Sequence, residues 1–257
     1  MNTVIIENKD NYSILSINRP DQYNALNEKV LDDLDAHLES IKKNLNCRAV
    51  ILTGVGQAFI AGADIKAMSK MDKAQAQAFS KKGQDLTMKI EEFHIPIIAA
   101  VNGFALGGGC EFAISCHIRY SSVSATFGQP EVSLGLIAGF GGTQRLPSLI
   151  GKGRAMEILL GGEKITAEEA FSMGMVNKVF NPENLLPAAE KLAKIISRNA
   201  PLSIQATLKL VNKSFDLDIN SGLVKECSAF KNLFNSHDTE EGISAFINKR
   251  KPSFKGK

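Results

Sequence analysis

The chain has only four cysteines in 257 residues, Cys47, Cys110, Cys116 and Cys227, and none are in C-x-x-C spacing. That excludes a disulfide framework and points to reduced thiols in a reducing compartment. The four histidines, His37, His94, His117 and His237, are scattered with no H-E-x-x-H, so no metal is expected. There is no Gly-x-Ser-x-Gly elbow, no Walker A loop and no complete Gly-x-Gly-x-x-Gly, which argues against a serine hydrolase, nucleotide hydrolysis and nicotinamide binding. Charge of one sign is scarce too: the net charge is +3, too small to demand nucleic acid as a partner. The stretch Met1 to Glu7 lacks a basic n-region and is too short for a signal peptide or a membrane span. A cytoplasmic protein with no membrane partner is expected.

What is present is ordinary for a soluble globular chain: 44% hydrophobic and 22% charged residues, enough for one large or two modest domains. Thr3 to Glu7 and Tyr12 to Ile17 read as a hairpin around Asn8 to Asn11. Asn27 can cap a helix with its apolar face at Val30, Leu31, Leu34, Leu38, Ile41 and Leu45. Buried strands at Ala49 to Thr53 and Ile97 to Val101 flank a polar helix over Lys73 to Phe93, an order that predicts a parallel α/β core. Beyond Lys152 the spacing is mostly helical, with caps expected at Thr166 and Thr239 and one strand at Val176 to Phe180. Phe230, Phe234 and Phe246 fit core positions of these helices, or the closure of a pocket.

The most informative stretch is Asn102 to Glu111, with three adjacent glycines at 107–109, followed by Gly128-Gln129-Pro130-Glu131. The glycines let bare backbone N–H groups approach a ligand where a Cβ would intrude. A helix opening there would aim its positive dipole end at an oxygen gathering negative charge, and Glu111 would sit in its first turn. Each glutamate alone is most simply a dipole partner or a loop residue. Both, however, adjoin apolar and glycine-rich sequence, where a carboxylate would be buried and its pKa raised, as acid/base chemistry needs. The loop Phe59 to Asp64 by itself reads as a turn before a helix capped by Asp64.

These segments, with Asn18-Arg19-Pro20, Asn24-Ala25-Leu26, Ala61-Gly62-Ala63-Asp64-Ile65 and Gly139 to Leu146, follow one order, and the whole chain resembles the crotonase, or enoyl-CoA hydratase, family, above all its short-chain members. The resemblance implies an α/β fold, a spiral of repeating strand-strand-helix turns over 1–195, with a helical region over 196–257 that serves trimerisation or acts as a lid. It implies catalytic roles for Glu111 and Glu131, with Glu131 delivering the proton to C2 and Glu111 activating water. It implies an oxyanion hole from the N–H groups of Ala61 and Gly108, and substrate contacts at Ala25, Ala63, Asp64 and Ile65. Coenzyme A would arrive as part of an acyl-CoA substrate with no further cofactor, and the assembly would be a homotrimer or a dimer of trimers.

Two departures stand out. Asp21-Gln22-Tyr23 replaces the lysine the family often has after Arg-Pro, and Ile137-Ala138-Gly139 lacks a proline before its glycine. The alternatives are an isomerase, whose relatives typically keep only the carboxylate matching Glu131, and an RNA-binding homologue. Glu111 favours hydration over the first. The lack of interleaved aromatic and basic residues speaks against the second, so no nucleic acid is expected.

Overall fold

The computed structural model describes residues 2–257; Met1, where the N-terminal stretch read above begins, lies outside them. The chain opens with an antiparallel pair, β1 (Val4–Asn8) and β2 (Ser13–Ile17), in the register Val4 to Ile17. Helix α1 (Glu28–Lys43) follows, its first turn capped by the Asn27 side chain, which accepts from Val30 N at 3.0 Å. It then adds β3 (Val50–Gly54), β4 (Ala58–Ile60), α2 (Ile65–Met68) and α3 (Lys73–Glu91). The pattern repeats as β5 (Ile97–Val101), β6 (Phe104–Leu106) and α4 (Gly108–Ser115). A third turn holds β7 (Ile118–Ser122), β8 (Thr126–Gly128), a 3-10 turn over Pro130–Leu134, α5 (Gly142–Ile150) and α6 (Lys152–Gly161). After these come β9 (Lys164–Thr166), α7 (Ala167–Ser172), β10 (Lys178–Phe180) and α8 (Pro182–Ile196). The chain closes with α9 (Pro201–Asn212), α10 (Ile219–Leu233) and α11 (His237–Ile247).

Each turn gives one strand to each of two sheets before its helix. The larger sheet runs β1-β2-β3-β5-β7-β10 and the smaller β4-β6-β8-β9, and the central neighbours of both are parallel. The corners between sheets are stapled by amides: Asn102 Nδ2 donates to the Gly54 and Gly56 carbonyls at 2.9 Å, and buried Asn24 donates to Val55 O and Ala58 O at 3.0 and 2.7 Å. Strands β3 and β5 are covered on both faces, which explains their unbroken apolar runs. Val50, Leu52, Ile97 and Ala99 share a core with Leu31, Leu34 and Leu38 of α1. The alternate residues Ile51, Ile98 and Ala100 pack under Leu185, Ala189 and Ala193 of α8.

Several expectations need correction. Helix α1 stops at Lys43, so Leu45 lies outside its apolar face and is 91% exposed. The last helix is capped by Ser236, which accepts from Thr239 N at 3.2 Å, so Thr239 is in its first turn and is not its cap. Strand β9 adds a second strand beyond Lys152, its three residues too short for any alternation to register. Phe230, Phe234 and Phe246 are exposed and form no part of this chain's core. Indeed α9 and α10 contain no buried residue at all.

Candidate active site

The glycine turn is dictated by how closely things approach it. Gly107 leaves β6 with φ +50°, and a Cβ there would come within 2.5 Å of Glu131 Oε1. A Cβ on Gly109 would sit 1.9 Å from the Ile60 carbonyl, so only bare backbone lets α4 seat against the end of β4. Gly108 is the first residue of α4, and its N–H is one of the donors that a helix start leaves without an intrahelical acceptor.

Glu111 is 1% exposed, yet it ends in a prepared cradle: its Oε1 accepts the N–H of Phe140 and that of Gly142, each at 2.7 Å. These amides come from the loop between the 3-10 turn and α5, which Gly141 bends with φ +109°. Burial pushes the Glu111 carboxyl up, the two amides pull it down, nearby Glu131 raises it again, and it settles at about 7. Glu131, set by Pro130 into the 3-10 turn, is half-buried, and burial raises it as well. Against Glu131 lies Gln129, 1% exposed. With its amide nitrogen turned toward Glu131 it donates to both carboxylate oxygens at 3.1 and 3.2 Å, and its other flank shares the space above Gly142 with Glu111 Oε1. The charge of Glu131 is one of the influences that raise Glu111, so the ionisation of one acid bears on the other. A cavity of about 390 Å³ opens beside Glu131, with Gln129 and Glu131 at one side and Ile137, Met156, Leu159 and Leu160 supplying an apolar wall. A more open cleft of about 530 Å³ between the β1–β2 turn and α8 is polar and contains neither glutamate.

Residues 7–257 match the family model for enoyl-CoA hydratase/isomerase. The chain belongs to this family. It is 42% identical to the short-chain-enoyl-CoA hydratase of Clostridium acetobutylicum and to the crotonyl-CoA hydratase of Syntrophomonas wolfei, in each case over 98% of this chain and 97% of the relative. Its fold superposes on the crystal structure of enoyl-CoA hydratase from Bacillus anthracis with a TM-score of 0.96 at 36% identity, covering 99% of this chain and 100% of that one. The spiral implied by the resemblance is the family fold observed here.

Against the family expectation, the residues sort unevenly. Glu111, Glu131 and Gly108 come together. Ala61 does not serve as expected: its N–H already donates to the Tyr23 carbonyl at 3.0 Å, which leaves it no hydrogen for a ligand. The neighbour Ala63 is different, since among the described residues its N–H has no acceptor, and its segment is bridged to Leu26, whose side chain lies against Gly108. Asp64 caps α2 by accepting from Ala67 N at 3.2 Å and pairs with Arg19 at 3.0 Å, so its carboxylate is committed to the fold. The Ala25 carbonyl accepts from the same Arg19, and its N–H donates to Gln22 O at 3.0 Å. Ile65 is half-exposed at the loop's edge.

Gln129 and the Phe140 and Gly142 amides were missed by sequence reasoning. A glutamine near Glu131 was visible, but nothing local marks it as buried against that carboxylate. Among the described residues no cluster of histidine, cysteine or acidic side chains could hold a metal.

Proposed function

We propose that the protein reversibly adds water across the C2–C3 double bond of short-chain trans-2-enoyl-CoA thioesters. The observation that carries this reading is the buried Glu111, held by the Phe140 and Gly142 amides, near a half-buried Glu131 that borders an apolar cavity and lies against the glycine turn. Glu111, ionised, takes a proton from water as the oxygen bonds to C3. The electron pair of the C2–C3 bond moves toward the thioester, whose oxygen becomes an enolate. Glu131, protonated, then returns a proton to C2. Each turnover ends with the proton on the opposite carboxyl, which is the starting state for dehydration. Enolate charge would be met by the N–H groups of Gly108 and Ala63, the latter taking the place first assigned to Ala61; such donors contribute about 2.7–4 kcal/mol each.

The short acyl chain would enter the cavity lined by Ile137, Met156 and Leu160. Coenzyme A enters as part of the substrate, and the chemistry requires no further cofactor. The C-terminal residues 196–257 would form the assembly region of a homotrimer or dimer of trimers, attached to a spiral core over 1–195, and the setting would be cytoplasmic. Among the described residues no helix is long and apolar enough to cross a membrane.

Crotonyl-CoA hydration, followed by loss of the conjugated thioester's absorbance, tests the assignment. Glu111→Gln and Glu131→Gln should each fold and lose about 10²–10⁴-fold in rate. Near wild-type turnover in either variant would remove that residue from the mechanism, and turnover of 3-enoyl but not 2-enoyl substrates would replace hydration by isomerisation.

A further inference from the structure

The peptide unit joining Gly139 to Phe140 is hydrogen-bonded at both ends. Its N–H donates to Glu111 Oε1 at 2.7 Å, and its carbonyl accepts from Ser80 Oγ at 2.7 Å and from Gln84 Nε2 at 3.0 Å, both on α3. Two donors on a carbonyl draw electron density toward its oxygen and make the N–H of the same amide a stronger donor, since linked hydrogen bonds reinforce one another. The next carbonyl, that of Phe140, is held in the same way by Thr87 Oγ1 at 2.9 Å and Arg145 Nη1 at 3.0 Å. The loop is thus gripped by Ser80, Gln84 and Thr87 of α3 and Arg145 of α5 while its amides face the buried acid.

We propose that Ser80 and Gln84 are positioning residues for the hydration base, acting through the Gly139–Phe140 peptide to orient and strengthen the amide that holds Glu111. The proposal rests on the role given to Glu111 above. Neither side chain bonds to Glu111 itself; both reach it through the Gly139 carbonyl. Ser80 is half-buried and Gln84 exposed, which makes both replaceable without a hole in the core.

The charged and titratable groups facing Glu111 are few. They are Glu131 from the 3-10 turn, Arg145 from α5, which is paired with Glu91 of α3 at 2.8 Å, and on α4 itself Cys110, whose thiol burial keeps protonated. Strands β4 and β6, also packed on α4, carry no titratable side chain. None of these groups is changed by substitution at Ser80 or Gln84, so a shift in Glu111 titration on such substitution would have to pass through the peptide.

The experiment uses the full chain, wild type beside Ser80→Ala/Gln84→Leu, Ser80→Thr and Glu111→Gln. The side-chain carboxyl carbon of Glu111 is followed by carbon-13 NMR across pH, assigned by its absence in Glu111→Gln, and kcat and KM for crotonyl-CoA are measured over the same range. In the double variant the Glu111 titration should move up by about half a pH unit, because a weaker amide stabilises the anion less. The acid limb of the rate should move with it, and kcat should fall several-fold with KM held within about twofold. Ser80→Thr, which keeps the hydroxyl, should titrate as wild type. An unmoved titration in the double variant overturns the proposal, whether or not kcat changes. Should the double variant not fold, Gln84→Leu at its exposed site must show a shift of the same sign, and no shift there overturns it equally. Undiminished turnover in Glu111→Gln would instead sink the catalytic assignment, and the NMR titration would still report on the relay.

Discussion

Burial and hydrogen bonding pull Glu111 in opposite directions, and burial wins. The carboxyl stands at about 7 against an ordinary value of 4.5, despite two amides at 2.7 Å. Between those values the native state keeps a proton that the unfolded chain has released, so this residue's contribution makes the fold less stable as pH rises through the window. Above pH 7 the full cost is about 3 kcal/mol. Glu111→Gln keeps an oxygen for both amides and carries no charge. We expect it to be more stable than wild type by about 1–3 kcal/mol at pH 8, with no gain at pH 4. Denaturant unfolding at the two pH values checks this, and equal stability differences at both would refute it. The same residue explains what was legible locally: an acid in apolar, glycine-rich sequence announces a raised pKa, whereas the amides of Phe140 and Gly142 lie 29 and 31 residues away and nothing near Glu111 names them.

At the scale of elements, the joint between α3, α4 and β5 is made by one imidazole. His117 Nδ1 accepts from Ile97 N at 3.0 Å as β5 begins, and its Nε2 lies 3.1 Å from the Glu91 carbonyl at the end of α3. Protonating Nδ1 would set a donor against a donor, and burial drives the ring down to about 4 from 6.5. The unfolded chain therefore binds the proton first. Stability from this group is whole above pH 6.5 and is lost as pH falls toward 4, about 3 kcal/mol in all. The slope is opposite in sign to that of Glu111, so the two offset each other across the mildly acidic range. Relative to wild type, His117→Gln should lose stability near neutrality but less of it in acid, a difference that unfolding followed by circular dichroism would reveal; a pH-independent difference would contradict the assignment. Long elements were legible: β3 and β5 fall on their apolar runs, α1 follows its apolar spacing as far as Lys43, and α3 lies within the polar helix read over Lys73 to Phe93. The three-residue strands β4, β6, β8 and β9 did not, because a sheet of such short strands is specified by its neighbours, with too few residues for a period.

For the molecule as a whole, the unanswered face is C-terminal. Ile219, Val224, Phe230 and Phe246 on α10 and α11, with Phe215 in the turn before α10, are between 65% and 86% exposed, more apolar surface in one stretch than a solitary chain normally shows. Yet the region is tied down: Asp238, 2% exposed, accepts from Lys255 N and Gly256 N at 2.7 and 2.8 Å, and Arg48 donates to the Phe254 carbonyl at 2.8 Å. A rigid apolar face is suited to a second copy of the chain. Light scattering should return three or six chains, and Val224→Asp/Phe230→Asp should lower that number while leaving the spiral's circular dichroism intact. A wild-type monomer at micromolar concentration would end this expectation.

Sequence by itself determined the family and the parallel α/β core, because these depend on residue type, short-range spacing and the order of motifs along the chain. Tertiary structure alone decided which amide near Glu111 is free. Ala61 and Ala63 are indistinguishable as letters, but the first is bonded to Tyr23 and the second is not. It also decided that Gln129 is buried against the Glu131 carboxylate and that the C-terminal aromatics face outward. Hydrogen-bond partnership and exposure are properties of what the rest of the chain brings alongside, and that information is spread over residues far apart in sequence.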